Sequence, residues 1–136
     1  MFRQHRRKQG YSGWNQWILL GILTLGVWRQ GSGAIAQPTP LTAPQVAAQM
    51  TTLPTWRTDG QQLTCTYEFA NFVAAIAFLN ALVEPAETLG HHPDLRVSYN
   101  RVGVVLTTHD AGGLTALDFA LAEQIAATAA PQLCSP

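Results

Sequence analysis

From Leu63 to Phe69 apolar and polar residues alternate, with Leu63, Cys65, Tyr67 and Phe69 on one side and Thr64, Thr66 and Glu68 on the other. A period of two predicts a half-buried strand. Trp56–Thr58 reads as a partner strand, and the "DGQQ" of Asp59–Gln62 as the turn of a hairpin. Beyond Phe69 the period changes. Phe72, Ile76, Leu79, Leu82, Val83, Ala86 and Leu89 recur mostly at steps of three and four. That spacing predicts one long amphipathic helix, capped by Asn71 and terminated by Gly90. Pro85 lies inside it, and the missing backbone donor predicts a local kink or loosening.

Val97–Tyr99 and Val102–Thr107 read as two more strands about a tight turn near Asn100-Arg101, followed by the loop "HDAGG" at His109–Gly113. Thr115–Asp118 resembles a capping box with Asp in place of Glu, and it opens a last helix carrying Leu117, Leu121 and Ile125. Upstream, Thr42 is the expected cap of a short helix, with Pro44 in its first turn and Pro54 at its end. The order α-β-β-α-β-β-α predicts an α+β domain, with helices packed on one face of an antiparallel sheet. The chain has no internal repeat.

The first 36 residues read differently. A basic start at Phe2–Lys8 leads to the twelve-residue apolar run Trp17–Trp28, and "AIA" follows at Ala34–Ala36. A bilayer span needs roughly twenty apolar residues, so this run fits the h-region of a signal peptide cleaved after Ala36. The rival reading is a short uncleaved anchor, with Trp at both ends of the run. The chain thus divides into a targeting segment at 1–36, a Pro-rich linker at 37–41 and a domain at 42–136. The expected location is outside the cytoplasm, with contact to a membrane only through an uncleaved N-terminal segment.

Charge follows the same division. Beyond residue 36 only Arg57, Arg96 and Arg101 stand against eight acidic residues, a net charge of −5. That balance offers no basic stripe for a phosphate backbone and argues against nucleic acid as a partner. Cys65 and Cys134 are the only cysteines. In an exported chain they can pair; the alternative is a small core residue and a tail thiol.

Three of the four histidines, His91, His92 and His109, fall within nineteen residues. His91-His92 follow the long helix and His109 follows a strand, so all three stand at element ends, where side chains can line a cleft. Pro93 can fix the adjacent pair so that both face one pocket, and Asp94, Asp110 and Asp118 are at hand to orient an imidazole. Histidine exchanges protons near neutral pH, which makes general acid–base chemistry the leading reading. A metal site fits poorly, because the set lacks His-x-x-x-His spacing. No Gly-x-Ser-x-Gly or phosphate-binding glycine loop supports a nucleophilic or phosphoryl-transfer enzyme. Solvated loop histidines are the bland alternative.

The segment "E-x-x-x-H-H-P-D" (Glu87–Asp94), then Tyr99, "T-T-H" (Thr107–His109) and "G-L-T-x-x-D" (Gly113–Asp118) resembles the signature of the pterin-4a-carbinolamine dehydratases. The "Y-x-F-x-x-F" of Tyr67, Phe69 and Phe72 belongs to the same resemblance, which spans roughly Thr42 to Ala127. It implies that family's four-stranded sheet with helices on one face. It implies dehydration of a 4a-hydroxytetrahydropterin to the quinonoid dihydropterin, with no metal or redox cofactor. By resemblance His91 and His109 form the acid–base pair and His92 binds and orients the pterin. Glu87, Thr108 and Asp118 join the substrate site, with Asp118 also expected at the helix start and beside His109. A homodimer or homotetramer is implied as well. Two departures stand out: Gly90 precedes the His pair where some relatives carry an acid, and Pro85 interrupts a helix that builds oligomer contacts. The family also includes members that partner other proteins, so a non-catalytic dehydratase-like scaffold is the alternative function.

Overall fold

The computed structural model describes residues 38–135, and the targeting segment read at 1–36 lies outside the described residues. Helix α1 (Ala43–Gln49) starts at Thr42, whose N–H donates to Gln45 Oε1 at 2.8 Å. A 3-10 turn at Met50–Thr52 follows, then β1 (Arg57–Thr58) and β2 (Leu63–Glu68). The turn between the strands is held by Asp59, whose Oδ1 accepts from the N–H groups of Gln61 (2.8 Å) and Gln62 (3.0 Å). Those donors favour the ionised form and hold the Asp59 carboxyl below its ordinary range.

The expected long helix is two helices, α2 (Phe72–Ala81) and α3 (Val83–Leu89), parted at Leu82. Pro85 explains the break. It has no N–H for the Ala81 carbonyl, and its ring would crowd that carbonyl in a continuous helix. Placed as the third residue of α3, it sits in a first turn where no donor is needed. Asn71 caps α2, its Oδ1 accepting from the Ala74 N–H at 2.9 Å. The buried side of this pair is Ala75, Phe78, Leu82, Pro85 and Ala86. Phe72 and Val83, expected on the packed stripe, are 50% and 58% exposed.

Strands β3 (Asp94–Ser98) and β4 (Arg101–Leu106) form a hairpin whose loop is Tyr99-Asn100, with Tyr99 at φ 54°. The last helix, α4 (Ala116–Ala129), begins at the Thr115 capping box. The strands make one antiparallel sheet in the order β1-β2-β4-β3. Residues Leu63, Cys65, Tyr67, Val102, Val104 and Leu106 face the helices and are buried. Helices α2 and α4 pack on that side, with Phe119, Leu121 and Ile125 completing the core. Cys65 and Cys134 are joined by a disulfide, with Cα atoms 5.5 Å apart. Ser135 continues beside β2, exchanging backbone hydrogen bonds with Thr66 at 2.8 and 3.2 Å. The four-stranded α+β architecture is the one the sequence predicts.

Candidate active site

Gly90 is where the site begins. It ends α3 in the left-handed conformation (φ 59°) and turns the chain straight into His91 and His92. The His91 N–H donates back to the Ala86 carbonyl at 3.1 Å, which fixes the exit. Across from it, β4 runs into Thr107, Thr108 and the 3-10 turn His109–Ala111. An isolated bridge between Thr108 and Gly113 closes the "HDAGG" loop. The three histidines therefore line one open cavity of about 460 Å³, with Thr108, Leu117 and Pro38 among its other walls.

Each histidine meets a carboxylate. His91 Nε2 lies 2.8 Å from Asp118 Oδ1, in a buried contact. His92 Nε2 lies 2.9 Å from Glu87 Oε1, and His109 Nε2 lies 3.7 Å from Asp94 Oδ2; both of these pairs are exposed. The first pair is the constrained one. Asp118 is fully buried, and its Oδ2 accepts from the Thr115 N–H (2.7 Å) and the Thr108 hydroxyl (2.8 Å). The Thr115 and Thr108 hydroxyls are 2.8 Å apart, and the Leu117 N–H donates to Thr115 Oγ1 at 3.2 Å. These bonds run in one direction, from backbone N–H through two hydroxyls to the carboxylate. Oδ1 is paired with His91 Nε2, so Nδ1 is the ring nitrogen of His91 that makes no hydrogen bond among the described residues.

His91, His92, His109 and Thr108 share the cavity. Glu87 is exposed and holds His92. Asp118, expected at the substrate and beside His109, faces the interior behind His91; with no exposed surface it does not border the cavity. The carboxylate near His109 is Asp94 instead. Sequence reasoning missed Thr115 and Pro38. The Thr115 role was half visible in its capping position, whereas nothing in the local pattern points to Pro38. Among the described residues no group of three or more His, Cys, Asp or Glu side chains is arranged to hold a metal ion.

The family profile described as pterin 4 alpha carbinolamine dehydratase matches residues 39–128. This chain belongs to that family. Relatives carrying the dehydratase family name include one from Cyanothece sp., 53% identical over 81 residues, covering 60% of this chain and 84% of its own. Another, from Thermosynechococcus vestitus, is 51% identical over 85 residues, covering 62% of this chain and 90% of its own. Among solved structures, a transcriptional coactivator/pterin dehydratase from Brucella melitensis superposes with a TM-score of 0.63 at 34% identity. The match covers 67% of this chain and 99% of that one. His91, His92 and His109 of this dehydratase-family member fall inside the matched residues, whereas Pro38 and Cys134 fall outside them.

Proposed function

We propose that this chain dehydrates a 4a-hydroxytetrahydropterin to the quinonoid dihydropterin by histidine general acid–base catalysis. In this reaction the C4a–O bond breaks, the hydroxyl leaves as water after receiving a proton, and a ring nitrogen gives one up. The leaving group needs a donor and the ring needs an acceptor, both poised near neutral pH. The observation that carries the reading is the convergence of three carboxylate-paired histidines on one cavity. His91 and His109 are the proton-transfer pair, and His92, held by Glu87, orients the pterin. Asp118 is a positioning residue that acts through His91, and Thr108 links the cavity wall to that carboxylate.

The test is a stopped-flow ultraviolet assay of freshly generated 4a-hydroxytetrahydropterin, with and without the purified chain. Wild type is expected to accelerate dehydration at catalytic concentration. His91→Ala and His109→Ala are each expected to lose on the order of 10²-fold or more in kcat while staying folded. Unchanged rates in both would remove the acid–base assignment. A folded wild-type chain without acceleration would point instead to a non-catalytic binding module on the same fold.

A further inference from the structure

The sheet face turned away from the helices carries every lysine and arginine found between residues 38 and 135. Strand register puts them there. Arg57 stands opposite Thr64, Arg96 opposite Gly103, and Arg101 between Glu68 and Ser98. Of the eight acids in the same region only Glu68 and Asp94 share this face; the other six lie in turns or in α3 and α4. A domain with a net negative charge thus gathers its cations on one surface.

At the centre of that surface is Gly103. A Cβ built there would sit 3.7 Å from the Arg96 Cβ and 4.0 Å from Thr66 Oγ1, ordinary contacts that a side chain could make. The missing side chain leaves a hollow of about 390 Å³ lined by Thr66, Arg96, Ser98, Arg101 and Gly103. A second hollow of about 240 Å³ adjoins it and shares Thr66, Arg96 and Gly103. The cations are weakly engaged. Arg101 Nε lies 3.8 Å from Glu68 Oε2 with both side chains exposed, and Arg96 makes no ion pair among the described residues.

We propose that this hollow binds the phosphate group of a small phosphate ester. Guanidinium forks match phosphate oxygens bidentately. Two of them, with the hydroxyls of Thr66 and Ser98, supply more donors than can be used by Glu68, the one carboxylate in ion-pair range of either guanidinium among the described residues. A dianion with three free oxygens fits that set. Neither arginine lines the histidine cavity, so the proposal does not rest on the dehydratase reading. The site is open to solvent, which makes the binding weak and sensitive to salt.

The probe is inorganic phosphate, titrated into the ¹⁵N-labelled chain at constant ionic strength and followed by amide shifts. Saturable shifts are expected at Thr66, Arg96, Ser98, Arg101 and Gly103. The double variant Arg96→Gln, Arg101→Gln is expected to weaken binding at least about tenfold, with the amides around His91 unmoved. Gly103→Val keeps both charges but fills the hollow, and it is expected to weaken binding to the same degree. Acetate at equal concentration is expected to bind at least about tenfold more weakly. Shifts that never saturate, that persist in the double variant, or that survive in Gly103→Val would overturn the site. Equal binding of acetate would overturn its specificity for phosphate.

Discussion

Asp118 divides its two oxygens between a helix start and a histidine. Oδ2 accepts the Thr115 N–H at the start of α4, while Oδ1 holds His91. Asp118→Asn keeps the shape but puts a donor where only acceptors are wanted, so one side must lose its bond. The expected result is a kcat lower by on the order of 10²–10⁴-fold, through misplacement of the His91 proton. KM should change little, because the carboxylate does not border the cavity. Stability should fall by about 1–3 kcal/mol for the mismatched buried group. A variant with wild-type kcat would remove the positioning role. Tyr67 presents the opposite case, for its buried Oη has no partner in hydrogen-bonding geometry. Burial, opposed by the neighbouring Trp56 indole, pushes the phenol up to about 12. A raised pKa in the folded state means the stabilisation is complete below the ordinary value of 10 and is lost as pH rises towards 12. Tyr67→Phe should therefore match or exceed wild type in urea midpoint at pH 7, and should lack the extra alkaline fall expected of wild type at pH 11. A loss at pH 7 would show a hydrogen bond that the geometry does not contain.

At the scale of elements, Gly90 is the joint between α3 and the histidine pair. Its φ of 59° suits glycine, and a Cβ there would meet nothing within 4 Å. Gly90→Ala therefore tests backbone conformation alone and should cost about 1 kcal/mol. That corresponds to a thermal midpoint lower by about 4–8 °C for a domain of this size. Gly90→Asn should cost less, since Asn tolerates the left-handed region; an equal loss for both would point to a steric cause. The Gly90 stop, the Asn71 cap, the Thr115 box and the β2 alternation were all legible in the sequence because each is a local pattern. The α2–α3 stripe was legible in part: Ile76, Leu79, Leu82, Ala86 and Leu89 are buried or half-buried, whereas Phe72 and Val83 are exposed. Helix α2 is apolar on several faces, so Phe72 fits the spacing as well as Ala75 and Phe78 do, and the break at Leu82 resets the phase and turns Val83 outward. The sequence predicts a strand at Val97–Tyr99 where β3 is Asp94–Ser98, because every residue of this edge strand is exposed and no alternation marks it. The histidine cluster was visible, but the pairing of His91 with Asp118, 27 residues apart, is made only by the fold.

The whole molecule joins a family domain to two features outside the residues that define it. One is the N-terminal segment that reads as an export signal; the other is Cys134, bonded to Cys65 across a sequence separation of 69. We propose that they belong together, since disulfides persist in oxidising compartments and an exported chain would enter one. The bond also secures Ser135 beside β2, where β1 covers only Leu63 and Thr64. Closing a loop of this length should restrict the unfolded chain enough to contribute about 4 kcal/mol. Reduction, or the pair Cys65→Ser, Cys134→Ser, should lower the thermal midpoint by on the order of 20 °C. Dehydration by the reduced chain at low temperature should persist, because neither cysteine borders the histidine cavity. The compartment is checked separately, by alkylating the protein as its own cells are lysed and counting blocked thiols by mass. Two unmodified, bonded cysteines are expected. If the midpoint does not move on reduction, the bond has no part in stability. If both thiols are found alkylated, the domain matures in a reducing compartment and the export reading fails.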